Sequence, residues 1–256
     1  MPKIIENKLI EEFKNRATFS RDELFEFFRH FEPDLKDSTF RWRIYDLKDK
    51  NIIRPIKKGF FTISSKPRFK PVISPELMKI SKKIQEKYDK EVKYCMWENE
   101  WLNEFSQHQS TKRMLFIEVE KDFMESVYYH LKDNFNYDLY LNPDEKAIDF
   151  YITESNYPVI IKKMITRSPV EKRIENKIRI TTPLLEKILV DLFAEEKLFY
   201  FYQGAELRHV FENAIKRYTI NFSKLFSYAG RREKENEIKS YLAQNMGKAI
   251  KDFIND

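Results

Sequence analysis

The sequence predicts an α+β protein. A small N-terminal unit of three helices and a hairpin, the winged helix-turn-helix order, precedes an α/β domain that ends in a helical tail. Three observations lead there. Helical spacing of apolar residues fills the first fifty positions, then yields to two β-prone runs around a basic, glycine-containing turn. Strand-like and helix-like segments alternate from about residue 93, and only helical periodicity remains from residue 204 onward.

The elements follow in order. Ile4 to Lys14 reads as a helix, with Ile5, Leu9 and Phe13 spaced four apart. Ser20 opens a second helix and forms a capping box with Glu23, each side chain satisfying a free first-turn amide. Leu24, Phe27, Phe28 and Phe31 make its buried stripe, and Pro33 ends it. Asp37 or Ser38 caps a third helix running to about Lys50. Ile52–Pro55 and Phe60–Ile63 are short strands joined through Lys57-Lys58-Gly59, which makes a wing.

Pro67, Pro71 and Pro75 mark Ser64–Pro75 as a linker, and Ser74 with Pro75 starts a connecting helix that turns Leu77, Ile80, Ile84 and Tyr88 inward. The division is therefore 1–65 for the first unit, 66–92 for linker and connecting helix, and 93–256 for the second domain. In that domain strands are expected over Met114–Val119, Tyr137–Leu141, Val159–Lys163 and Lys177–Thr181, with a helix over Asp122–Asn134. Met96–Phe105 reads only as amphipathic packing. A strongly apolar helix begins at Thr182-Pro183, and further helices span about 204–217, 221–229 and 231–253.

Composition narrows the function. Charged residues of both signs make up 34% of 256 residues, which argues against disorder, and four glycines all but exclude a Gly-rich nucleotide loop. The single Cys95 forms no internal disulfide and suits a reducing compartment. No apolar run is long enough to span a bilayer, and Lys3, Glu6, Asn7 and Lys8 interrupt any signal core, so a cytoplasmic protein without a membrane partner is expected. The positive excess is segregated. Residues 1–70 hold 17 Lys and Arg against 11 Asp and Glu, which equals the whole chain's net +6, and 36–70 alone hold 11 against 3. Such a local excess is the footprint of a phosphate-backbone binder.

The third helix is the candidate reader of double-stranded DNA. At 100° per residue Phe40, Ile44 and Leu47 share one side, and Trp42 falls nearly opposite them. Ser38, Arg41 and Tyr45 flank Trp42, with Thr39 towards the other edge. Arg41 suits guanine or phosphate, and Trp42 and Tyr45 suit sugars or thymine methyls. Lys57, Lys58 and nearby Arg54 would grip the flanking backbone. The alternative is a solvated helix in a protein-interaction module, with Trp42 and Tyr45 docking a partner.

Catalysis is harder to read. His30, His108, His130 and His209 lie far apart, with no metal-ligand spacing, and Cys95 has no nucleophile signature. Glu118 and Glu120, ending a strand, could share a face and hold magnesium as nucleotidyltransferases do. That chemistry also needs a Gly-Ser phosphate cradle, and no glycine here precedes a serine. The two are read as solvated strand-end charges in a domain that allows a degenerate nucleotidyltransferase-like fold. No catalytic residue, metal or cofactor is assigned, and a non-enzyme is expected.

Asp37 to Ile63 (DSTFRWRIYDLKDKNIIRPIKKGFFTI) resembles the recognition helix and wing of the AbiEi-type antitoxin and transcriptional-regulator family. Ile180 to Phe193 (ITTPLLEKILVDLF) resembles that family's later helix with a Pro, an acidic residue and Leu-Val-Asp-Leu. The likeness implies a bacterial antitoxin of a type IV toxin–antitoxin system. Such a protein binds promoter inverted repeats to repress its own operon and counteracts a nucleotidyltransferase-like toxin. Arg41, Tyr45, Lys57 and Lys58 would take the DNA-facing role.

Overall fold

The computed structural model describes residues 3–16, 18–50, 52–63, 66–108, 110 and 112–246. It is a mixed α+β architecture with two hydrophobic cores.

The first core forms around a capped helix pair. Ser20 Oγ accepts the Glu23 N–H at 3.1 Å, and the Glu23 carboxylate accepts the Ser20 N–H at 2.7 Å, so α2 (Arg21–Arg29) starts on the expected capping box. Helix α1 (Lys3–Phe13) contributes Leu9 and Phe13, α2 contributes Leu24 and Phe28, and α3 (Asp37–Asp49) contributes Phe40, Ile44 and Leu47. Phe31, expected in the stripe, is instead partly exposed at the end of the helix. The start of α3 also differs. Its N-cap is Lys36 without a side-chain cap, because the Asp37 carboxylate is drawn off to Arg21 and Arg41. Strands β1 (Phe19–Ser20), β2 (Ile53–Lys57) and β3 (Phe60–Ile63) make an antiparallel sheet in the order β1-β3-β2. Gly59, at φ +77°, turns the chain between β2 and β3, a conformation that side chains with a Cβ resist.

Alternation along β2 divides its residues between two partners. Ile53 points into the first core, and Ile56 belongs to the second. The second core also takes the inner face of α4 (Pro75–Tyr88), capped by Ser74, whose hydroxyl accepts the Leu77 N–H. Leu77, Ile80, Ile84 and Tyr88 are all buried there.

The central sheet is built from β4 (Tyr94–Glu98), β5 (Leu115–Val119), β6 (Asp138–Leu141) and β7 (Pro158–Lys163). Its order is β4-β5-β7-β6, with β4 antiparallel and the others parallel. Helix α5 (Met124–Asn134) crosses between β5 and β6, and the short α6 (Glu145–Ala147) precedes β7. The parallel pairing is why β5 and β7 read as continuous apolar runs. Strand β4, which overlaps the start of the Met96–Phe105 region, was not expected: all five of its residues are buried, so no alternation announces it. A hairpin of β8 (Val170–Glu175) and β9 (Ile178–Pro183) packs beside the sheet; Asn176 and Lys177, both at positive φ, form its two-residue turn. Strand β8 was not expected because VEKRIE carries too many charges to read as a strand.

Helix α7 (Leu185–Ala194) is buried on all sides from Leu185 to Leu192, enclosed by the sheet and by α8 (Ala205–Arg217) and α9 (Phe222–Arg231). The last helix, α10 (Glu235–Asn245), is shorter than the expected 231–253, whose end lies outside the described residues. None of the described helices is long and apolar enough to cross a membrane.

Candidate functional site

Two features bring chemistry-bearing side chains together: the outer face of α3 and a charge network around α7.

On α3 the apolar spacing buries Phe40, Ile44 and Leu47, and the residues on the opposite side face solvent. Trp42 is 66% exposed and Tyr45 67%, and Ser38, Thr39 and Arg41 are exposed beside them. Two large aromatic rings in water on one helix are an unusual surface for a residue set with no partner to meet. Arg41 Nε lies 2.7 Å from the Asp37 carboxylate, an exposed pair that is easily exchanged for another anion. Arg43 turns the other way, pairing with Glu32 and covering the Phe28 ring at 5.1 Å. In the β2–β3 turn Lys58 is exposed, and Lys57 is half-buried with its ammonium 4.5 Å from the Phe60 ring centroid.

Arg54 corrects the expectation that it joins these lysines. It is 8% exposed, and its Nη1 donates to Thr219 Oγ1 at 2.9 Å and to the Lys66 carbonyl. Strand alternation turns it, like Ile56, toward the second core and away from solvent.

The acidic pair is also corrected. Glu118 is 1% exposed and not solvated; its Oε1 lies 2.6 Å from Lys187 Nζ and 3.9 Å from Lys162 Nζ. Glu120 lies beyond the end of β5, where Lys93 holds it at 2.8 Å. The two carboxylates thus serve different lysines, and among the described residues no cluster of three or more His, Cys, Asp or Glu could hold a metal.

Lys187 sits at the centre of a larger network. It pairs with Asp191 one turn along α7, and Asp191 Oδ1 accepts the Tyr228 hydroxyl at 2.8 Å. Glu195 accepts Lys162 at 2.8 Å and Arg232 at 2.6 Å. Burial opposes the Lys187 ammonium, yet Asp191 and Glu118 outweigh it and hold its pKa well above the ordinary lysine value. Burial likewise opposes the Asp191 carboxylate, and Lys187, Lys162 and Arg232 together hold it below the usual range. Three cations balance three carboxylates, so the group is neutral and fastens α7 to β5, β7 and α9. Lys162, Glu195 and Arg232 also line an open cleft of about 660 Å³ beside the carboxyl ends of β6 and β7, where Asn142 and Lys163 lie.

This network was not anticipated from sequence. Its one local signal was the placement of Lys187 and Asp191, four residues apart, inside an otherwise apolar helix. The histidines stay apart: His108 pairs with Glu206, and His130 Nε2 meets the Lys83 carbonyl.

No curated protein and no solved structure shows significant similarity to the chain. The profile of a family of unknown function, DUF6577, matches residues 39–248, beginning in the first turn of α3. That span exceeds half of the chain, which belongs to this family.

Proposed function

We propose that the protein is a DNA-binding regulator whose first unit is a winged helix-turn-helix, with α3 as the reading helix and the β2–β3 hairpin as the wing. The observation that carries this reading is the two-sided character of α3. One side supplies the core with Phe40, Ile44 and Leu47, and the other presents Arg41, Trp42 and Tyr45 to solvent. A helix needs this division to lie in a major groove while anchored to its domain. The segregation of the net charge into the first 70 residues supports it, because backbone contacts supply most of the affinity for duplex DNA. Ser38, Thr39, Arg41, Trp42 and Tyr45 are the proposed base-facing set, with Lys57 and Lys58 on the backbone. Arg54 is left out, being turned inward.

The resemblance to AbiEi-type antitoxins extends the proposal to repression of its own promoter and control of a partner toxin. The direct test is anisotropy or gel shift with the full chain and its own upstream DNA. Salt-sensitive binding that is lost in Arg41→Ala and Trp42→Ala, with unfolding midpoints unchanged, supports the reading. Binding that is absent, or equal in those variants, favours a protein-docking role for the same face.

A further inference from the structure

Arg54 bears a charge that its surroundings do not neutralise. Its Nε is buried with no hydrogen-bond partner, and among the described residues it takes part in no ion pair. Burial and then the neighbouring Arg68 push its pKa below the ordinary arginine value. A guanidinium withdrawn from water without a counter-ion is costly, and the usual resolution is an anion.

Space for one lies beside it. A pocket of about 120 Å³ opens where β2 meets the start of α9, lined by Arg54, Arg68, Lys224, Thr219 and Glu186 among others. Its cations are Arg54, Arg68 and Lys224, and its carboxylates are Glu171 and Glu186. Glu186 is already engaged, accepting the Asn221 N–H at 2.7 Å, and burial raises its pKa, which weakens it as a counter-ion for Arg54. Arg68 and Lys224 are exposed, so their side chains can close over a ligand. The guanidinium edge grips planar or tetrahedral oxyanions through paired donors.

We propose that this junction pocket binds a phosphate group, as free phosphate or on a small phosphomonoester, between Arg54, Arg68 and Lys224. Because Arg54 belongs to β2 and Lys224 to α9, the bound anion ties the first unit to the second domain. The site stands apart from the DNA reading, since it is tested with no DNA present.

The test is thermal unfolding and titration calorimetry of the full chain with inorganic phosphate and with AMP, against sodium chloride at equal ionic strength. The expected result is a rise in midpoint of about 2–4 °C at millimolar phosphate. The double variant Arg68→Ala, Lys224→Ala should lose at least about tenfold in affinity with its chloride midpoint unchanged. A response to phosphate alone assigns the free anion, and a response to AMP as well assigns a phosphomonoester; either supports the site. No response beyond chloride, or equal binding by the double variant, overturns it.

Discussion

Lys187 Nζ lies 2.6 Å from Glu118 Oε1 across 69 residues of sequence, and neither side chain is more than 1% exposed. The contact joins the first turn of α7 to β5 and turns what sequence offered as a magnesium ligand into one half of a structural ion pair. Lys187→Met would leave Glu118 and Asp191 buried without their main cation. A loss of about 3–5 kcal/mol in urea unfolding is expected. Glu118→Gln should cost less, because the amide oxygen still accepts from Lys187. A loss under about 1 kcal/mol in Lys187→Met would show that the network does not hold the domain together.

DNA binding, if it runs through α3 and the hairpin, should separate into two kinds of contact. Arg41→Ala is expected to cost about 1–3 kcal/mol and relax sequence preference, whereas Lys58→Ala should weaken all sequences alike and lower the salt slope by about 1. Anisotropy at several salt concentrations distinguishes them. Identical salt slopes in wild type and Lys58→Ala would remove the turn from the interface.

The capping box gives a local test of the first unit. Ser20→Ala removes the acceptor for the Glu23 N–H and should destabilise by about 1 kcal/mol. Glu23→Ala should give a loss of similar sign, since it frees the Ser20 N–H. An unchanged midpoint in Ser20→Ala would mean that α2 is held by packing alone.

Glu186 makes stability depend on pH in a defined sense. Burial raises its folded pKa above the ordinary 4.5. The folded state therefore binds the proton more tightly than the unfolded chain, and this contribution is fully present below pH 4.5 and is lost as pH rises through the folded value. Glu186→Gln keeps an oxygen for the Asn221 N–H while removing the charge. Its stability relative to wild type should rise as pH increases from about 4.5 toward neutrality. Parallel curves for the two proteins across that window would rule the effect out.

Cys95 should be inert while the chain is folded. It is fully buried, and burial, then Glu118, push its thiol well above the usual range. Reaction with a thiol reagent should track global unfolding in denaturant; rapid labelling of the native protein would contradict the packing around β4.

What could be read from the residues in order was whatever depends on local spacing. The Ser20–Glu23 box, the inward stripe of α3, the Gly59 turn and the Ser74–Pro75 helix start all depend on groups within a few residues of one another, and each formed as expected. Asp37 shows the first limit, because a partner sixteen residues away, Arg21, took the carboxylate that was expected to cap the helix. Strands β4 and β8 show the second: one is buried on both faces and the other is highly charged, and neither leaves the alternation that marks a half-buried strand.

The environment of each charge was decided by tertiary structure alone. Along β2 the sequence showed two faces, but only the approach of α9, with the Lys66 carbonyl and the Thr219 hydroxyl accepting from Arg54, determined that Arg54 would be enclosed while Lys58 in the adjoining turn stayed in water. Likewise Glu118 ends an apolar strand in any reading, and whether it is solvated or buried depends on a lysine supplied by α7. The physical reason is the same in both cases. Helix and strand periodicity reflects steric geometry repeated over a few residues, whereas the free energy of a charge depends on the dielectric and counter-ions that distant segments bring to it.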